Sequence, residues 1–467
     1  MARQPALVVV VVAAVALAGG GSLGFEFHEA TVDAIQLGFS NGSLTSTALV
    51  RFYLDRIARL NTLLHAVIEV NPDALAQAAR ADAERATGHR CGPLHGVPVL
   101  LKDIIATRDR PQHDGRVAVA ARRGRQARRR RGGPAAARRR RRARQANLPR
   151  VGQLPQLAGS PRLERTRRPI PAAANSVVGI KPTVGLTSRS GVIPFTTRQD
   201  TVGPLCRTVA DAVHVLDAIV GYDALDAKAT KAASKYIPAG GYVQFLRIDG
   251  LKGKRIGIPD GFFDFPNGTV RKMVYKQHLN TMRQQGAVVI ENLEIANLSV
   301  IFDGTKSGLL TALLAEFKLN LNNYLSDLSY SPVRSLAEII AFNNAHPVEE
   351  ELKEHGQSIL LMSENTAGIG PAEKAAIRRL NELSVNGVEK LMNDHQLDAI
   401  VTPDSAAAVV LAFHGLPGVV VPAGYDEKGV PFGVCFGGLK GYEPRLIEMA
   451  YAFEQVTKVR MPPMFKP

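Results

Sequence analysis

Hydrophobic and polar residues follow two different periods along this chain, and the longer period predicts helices. Leu49, Phe52, Tyr53, Ile57 and Leu60 recur at helical spacing behind a cap at Thr45 or Ser46. The same spacing, with capping residues and breakers, predicts further helices over residues 29–37, 269–285, 309–324, 372–395 and 446–456. It also predicts an alanine-rich helix that ends at residue 86 and a helix that begins near Thr208.

Short apolar runs lie between these segments and predict buried strands. They cover residues 97–101, 254–258, 287–290, 399–403, 418–422 and 430–436. The first run ends in Lys102-Asp103. Alternation of strands and helices predicts an α/β fold with a largely buried sheet. No internal repeat or linker divides the body, so we expect one domain from about residue 25 to residue 467.

The first 22 residues have the pattern of a secretory signal peptide. Arg3 precedes an apolar run over residues 6–18, and Gly19-Gly20-Gly21-Ser22 follows it. A buried N-terminal strand or helix is the alternative. The run is too short to span a bilayer, and no stretch of the chain reaches 18 consecutive apolar residues, so no membrane span is expected. Sequons at Asn41, Asn267 and Asn297 agree with secretion of a glycoprotein.

The chain is long enough for a large core, and its 45% apolar and 21% charged residues exclude wholesale disorder. The formal charge of +16 is local: residues 116–168 hold nineteen Arg, no Lys and one acid, Glu164. That stretch therefore carries +18, and the remainder carries −2.

The arginine-rich stretch has two interpretations. Runs of four and five arginines at 128–131 and 138–142 cannot enter a buried sheet, because like charges repel and burial of unpaired charge is costly. A polybasic arm for anionic polymers is one interpretation, although no aromatic residue offers a stacking platform for nucleic acid. The other is an altered reading frame, in which Ala, Gly and Val codons shift into Arg, Pro and Ala codons. We expect residues 116–170 to be disordered or loosely attached to the domain.

Cysteine usage excludes a disulfide framework. Cys91, Cys206 and Cys435 are odd in number and far apart, and their spacing fits no metal site. Cys91 and His95 could be two ligands, but nothing nearby completes a set, so no metal or cofactor is expected.

Several segments, in order along the chain, resemble the amidase signature family of serine hydrolases. They are Gly92-Pro-Leu-His-Gly-Val-Pro-Val-Leu-Leu-Lys102-Asp103, Val178-Gly-Ile-Lys-Pro-Thr-Val-Gly-Leu186, Asp200-Thr-Val-Gly-Pro-Leu-Cys-Arg-Thr-Val-Ala-Asp211 and Pro417-Gly-Val-Val-Val-Pro-Ala-Gly-Tyr425. The likeness covers about residues 25–107 and 173–467. It implies a mixed twisted sheet flanked by helices and hydrolysis of a small-molecule carboxamide; the oligomeric state stays open.

The resemblance implies a nucleophilic Ser, a second Ser joined by a cis peptide bond, and a Lys. Lys102 occupies the family's lysine position, and burial would lower its pKa so that the neutral amine works as a base. Ile104 departs from the pattern, which usually has Asn after Lys-Asp. Lys181 is expected to be structural.

Both family serines are missing from the Gly/Ser-rich block that should precede Val178. Counting back from Gly179 without gaps puts Arg167 at the nucleophile's position, and Ser160 and Ser176 are the only serines between Lys102 and Pro182. Neither has the glycine surroundings of an oxyanion loop. We therefore expect an amidase by descent with impaired catalysis in the disrupted segment 108–172, or a non-catalytic protein with a polybasic arm.

Overall fold

The computed structural model describes residues 25–107, 172–328 and 331–463. The helices of these residues, numbered in chain order, are α1 Val32–Asn41, α2 Ser46–Leu64, α3 Ala74–Ala86, α4 Val209–Ile219, α5 Ala227–Ala233, α6 Val270–Gln284, α7 Leu298–Phe302, α8 Leu309–Asp327, α9 Leu336–Ala345, α10 Leu352–His355, α11 Ser358–Glu364, α12 Pro371–Ser384, α13 Lys390–Asp394, α14 Ala408–Ala412 and α15 Glu443–Thr457.

Seven strands form one mixed sheet in the order β2-β1-β6-β7-β5-β3-β4. They are β1 Val178–Lys181, β2 Leu205–Cys206, β3 Arg255–Pro259, β4 Val288–Leu293, β5 Ala399–Pro403, β6 Gly418–Tyr425 and β7 Pro431–Gly437. Strand β3 pairs in parallel with β4 and β5, and the other pairs are antiparallel. The α/β class with a mixed sheet is thus confirmed.

The central strands of the sheet are buried on both faces. Val419 and Val421 of β6 belong to one apolar cluster, which α4 and α15 cover. Val420, between them, packs against a second cluster built with α8 and α12. Neighbouring residues of a strand point to opposite faces, so a fully apolar run is what a sheet covered by helices on both sides requires.

Capping residues fix several helix starts where the sequence indicates them. The hydroxyls of Thr45, Thr208 and Thr269 accept N–H bonds from the first turns of α2, α4 and α6. The first helix begins at Val32 rather than at the expected residue 29. Glu29 has a positive φ of 52°, which is incompatible with a right-handed helix.

The expected strand over 97–101 is wrong. These residues are half-buried and form no strand, since none of the described strands pairs with them in a hydrogen-bonded ladder. The expected helix over 372–395 is interrupted by a π-helical turn, Val385–Glu389, in which Gly387 leaves helical geometry (φ −93°, ψ −106°). Within the described ranges, no helix is both long and apolar enough to cross a bilayer.

Candidate active site

Lys102 lies in a loop that is hydrogen-bonded to a second loop of the domain. Ala106 N donates to Gly191 O at 2.8 Å, and Ile193 N donates to Ile104 O at 2.9 Å. Two backbone bonds directly after Lys102 therefore hold its segment against the loop that follows β1.

The turn that precedes this segment depends on Gly96. Its φ of 81° favours glycine, and a Cβ there would lie 2.1 Å from Ser46 Oγ and 2.3 Å from Arg85 Nη1. No side chain fits such a position. The Gly-Pro-Leu-His-Gly motif thus has a structural basis, which is the close approach of the turn to α2 and α3.

The Lys102 side chain is exposed, yet nearby protein atoms desolvate its ammonium group and lower its pKa. The Asp200 carboxylate acts in the opposite direction and favours the ammonium form. A lowered pKa increases the fraction of neutral amine, which is the form that accepts a proton.

Asp200 is the acidic group that acts on Lys102. One of its oxygens, Oδ2, accepts N–H bonds from Phe195 at 2.7 Å and Thr196 at 2.9 Å. Burial raises the pKa of Asp200 to about 6, although these two bonds oppose the shift. Protonation of Asp200 in mildly acidic solution therefore weakens the negative field at Lys102.

A buried carboxylate of α8 anchors the same loop. Glu316 accepts from Thr196 Oγ1 at 2.6 Å and from Arg198 Nε at 2.7 Å. These two bonds join the loop that carries Asp200 to helix α8. Asp200 belongs to a motif that resembles the family, but neither it nor Glu316 could be assigned a role from sequence, because only the fold brings residue 316 to residue 196.

Ile104, the departure from the family pattern, has a packing role. Its side chain packs against a cluster that contains the buried residues Ile193 and Phe317. An apolar residue fits this environment, so the substitution adds contact area and supplies no polar group beside Lys102.

Ser176 is bound to the C-terminal end of the chain. Its Oγ lies 2.8 Å from Tyr425 Oη, and its carbonyl accepts from Arg460 Nε at 3.0 Å. Ser176 is only 5% exposed and has a φ of 52°. Within the described part of the chain, Lys102 has no hydrogen-bonded serine. Ser160 and Arg167 lie outside the described residues.

Lys181 lies on β1 and is half-buried. Its Nζ donates to Leu416 O at 2.6 Å, and the nearby Glu443 carboxylate opposes the desolvation that lowers the pKa of Lys181 to about 8. Glu443 in turn accepts from Thr183 N at 2.6 Å. These contacts agree with the structural role expected for Lys181.

The cysteines are free, with Cys206 and Cys435 buried and Cys91 exposed. Cys91 Sγ lies 3.4 Å from His89 Nε2, and Cys91 N lies 3.4 Å from His95 Nδ1. Among the described residues, no group of three or more His, Cys, Asp or Glu side chains has the arrangement of a metal site.

Solved amidases share this fold. The chain is similar to the native peptide amidase of Stenotrophomonas maltophilia, with a TM-score of 0.77 and 34% identity over 95% of this chain and 100% of that one. It is also similar to an amidase family protein of Bacillus anthracis, with a TM-score of 0.75 and 28% identity over 93% and 92% of the two chains.

The sequence comparisons show the family. The Amidase family model matches residues 48–126 and 169–410. A probable amidase of Arabidopsis thaliana is 46% identical over 94% of this chain and 92% of its own, and a putative amidase of Schizosaccharomyces pombe is 30% identical over 94% and 87%. The chain belongs to the Amidase family, whose reaction, as its name states, is hydrolysis of amide carbon–nitrogen bonds.

Proposed function

We propose that this chain is an amidase by descent that, as encoded, hydrolyses carboxamides slowly or not at all. The observation that carries the proposal is the retention of Lys102 on its anchored loop, where none of the described residues gives it a serine to activate. Its function as a base requires a hydroxyl group within hydrogen-bond reach.

The state of Ser176 supports this proposal. A nucleophile must expose its oxygen to a substrate carbonyl, but Ser176 Oγ is buried and bonded to Tyr425. Tyr425 Oη is itself fixed by the C-terminal segment, because Met461 N donates to it at 2.8 Å. Ser176 therefore holds the chain end in place and is not available for acyl transfer.

The extent of the family match also supports it. The match stops at residue 126 and resumes at residue 169, so it leaves out most of the arginine-rich stretch. The family pattern places both of its catalytic serines, the nucleophile and the second Ser, in this part of the sequence. Without them the chain retains Lys102 and its binding surfaces, and serine hydrolases stripped of their triads keep only roughly 10³–10⁴-fold acceleration over water.

Two assays on the purified chain test the proposal. A fluorophosphonate probe labels an activated serine, so we expect no labelling above that of the heat-denatured chain. A panel of simple carboxamides and esters should show turnover that Lys102→Ala leaves unchanged. Because a solved relative is named a peptide amidase, the panel includes a peptide carboxamide. Labelling, or turnover that disappears in Lys102→Ala, would contradict the proposal.

The charge distribution favours a second candidate function, binding of anionic polymers by the polybasic stretch. Residues 116–168 carry +18 while the rest of the chain carries −2. Phosphate or sulfate binding of this kind weakens steeply with salt. Retention on heparin that falls with salt, and that is lost when residues 116–168 are deleted, supports this function. Sequencing the cDNA across residues 109–173 distinguishes it from an altered reading frame.

We also propose that the chain enters the secretory pathway and that residues 1–22 are removed. The charged start, the apolar run and the small residues after it support this proposal. The mature N-terminus of the secreted protein tests it, since Met1 at the N-terminus of a cytosolic protein would contradict it.

A further inference from the structure

We propose that Asn41 and Asn267 carry N-linked oligosaccharides and that Asn297, the third sequon asparagine, is modified much less. The inference rests on the proposed entry into the secretory pathway. All three asparagines are exposed. What separates them is the middle residue of each sequon, which is an unobstructed glycine at positions 42 and 268 and a leucine packed against the core at position 298.

The first sequon ends α1. Gly42 is the left-handed C-cap, with a φ of 76°, and a Cβ added there would have no atom of the described residues within 4 Å. Asn41 Oδ1 accepts an exposed N–H bond from Ser43 N at 3.0 Å. Asn41 is itself exposed, so the described part of the chain leaves room for a sugar at this turn.

The second sequon lies in the turn before α6. A Cβ on Gly268 would likewise have no atom of the described ranges within 4 Å. Asn267 Oδ1 accepts from the exposed Lys272 Nζ at 2.7 Å. An exposed bond of this type contributes little to stability, so a glycan can displace it at small cost. Thr269 keeps its capping bond to α6 in either state.

The third sequon is held by the fold. Asn297 has a φ of 60°, and its carbonyl accepts from Ile301 N at 2.9 Å in the first turn of α7. Leu298, the middle residue of this sequon, packs against the second core cluster. In the folded chain the Asn297 sequon is therefore fixed by helix α7 and by the core contact of Leu298. The Asn41 and Asn267 sequons lie in exposed turns instead.

The modification is a glycosyl transfer from a lipid pyrophosphate-linked oligosaccharide. The asparagine Nδ2 forms a bond to the anomeric carbon of the first sugar and loses a proton. The bond from that carbon to the phosphate oxygen breaks, and the lipid pyrophosphate leaves with the electron pair.

The test is secretion of the chain from yeast, with residues 1–22 replaced by a signal peptide of known efficiency. Digestion with peptide N-glycosidase in heavy-oxygen water converts each glycan-bearing Asn to labelled Asp, and mass spectrometry gives the occupied fraction of each site. We expect Asn41 and Asn267 to be occupied in most molecules and Asn297 in a minority. Glycosyl transfer and folding compete in the same compartment, so a chain that is retained in the cell still reports the result.

Asn→Asp variants are the matched controls at all three positions. Asp keeps the accepting oxygen at 41 and 267 and tolerates the left-handed backbone at 297, but it accepts no glycan. Asn41→Asp and Asn267→Asp should each remove one enzyme-sensitive mass step, and Asn297→Asp should change the mass little. An unmodified Asn41 or Asn267, or an Asn297 occupied as fully as these two, overturns the inference. The parallel chain with its own residues 1–22 tests secretion separately.

Discussion

Lys102 and Lys181 both have lowered pKa values, but their surroundings are opposite. Lys181 is half-buried on a sheet strand, donates to the carbonyl of Leu416, and has the buried Glu443 nearby. Lys102 is exposed on a loop, and the described residues give it no hydrogen-bond acceptor. The difference teaches that a lowered lysine pKa marks desolvation of the amine, and that only a lysine whose amine is free of structural bonds is available for chemistry.

The largest effect on stability is expected at Lys181. Lys181→Met leaves the Leu416 carbonyl without its donor and removes the cation whose field acts on the buried Glu443 carboxylate, so we expect a loss of about 1–3 kcal/mol of unfolding free energy. Denaturant titration measures the loss. In the double variant Lys181→Met/Glu443→Gln, which removes both charges, we expect much of the stability to return. A loss as small as that of a surface substitution would show that Lys181 is not structural.

A smaller loss is expected at Ser176. Ser176→Ala removes a buried hydrogen bond to Tyr425, at a cost of about 1 kcal/mol, because Tyr425 Oη retains its bonds to the Met461 backbone. Tyr425→Phe is the matched variant, and a double-mutant cycle gives the coupling energy of the two groups. Amide turnover should not change in either variant; loss of turnover in Ser176→Ala would identify Ser176 as a nucleophile.

The pH dependence of stability is expected to change at Asp200. Its pKa, raised to about 6 by burial, means that the folded state holds this proton more tightly than the unfolded state. Its contribution to stability is therefore present at low pH and is lost as the pH rises through 6.

Asp200→Asn keeps an oxygen for the N–H groups of Phe195 and Thr196 and removes the charge. The quantity to compare is the unfolding free energy of the variant minus that of the native chain. We expect this difference to be more favourable to the variant at neutral pH than in acid. Unfolding free energies on either side of pH 6 measure this difference. A variant that loses stability equally at both values would show that the Asp200 charge is not the cause.

The smallest effect on stability is expected at Lys102. Lys102→Ala should change the unfolding free energy by no more than about 0.5 kcal/mol, because the side chain is exposed and makes no described hydrogen bond. The measurement is the same denaturant titration. A loss comparable with that of Lys181→Met would remove the distinction between the two lysines.

Local signals in the sequence were sufficient for much of the fold. The hydroxyl caps at Thr45, Thr208 and Thr269 lie next to periodic apolar positions, so both the helix and its start follow from neighbouring residues. Buried strands such as Ala399–Pro403 are continuous apolar runs, and the predicted bounds match the observed ones.

Features that depend on distant partners could not be predicted. Residues 97–101 have a strand's composition, but a strand also needs a neighbour for its hydrogen bonds. Helices Leu336–Ala345 and Ser358–Glu364 were not predicted, because their short patterns are ambiguous until α8 packs against them. At the candidate site, Lys102 was identified by resemblance, whereas Asp200 and Glu316 acquire their roles only through the fold. The role of Lys102 stays a prediction.

Replacement of residues 108–171 by the corresponding segment of the Arabidopsis thaliana amidase tests the central claim most directly. The two chains are 46% identical, so the donor segment should fit the rest of this domain. The account predicts that the chimaera hydrolyses carboxamides at least about 10³-fold faster than the native chain, and that Lys102→Ala in the chimaera removes this gain. The account would be contradicted if the native chain turned over carboxamides as fast as the chimaera, or if Lys102→Ala left the turnover of the chimaera unchanged.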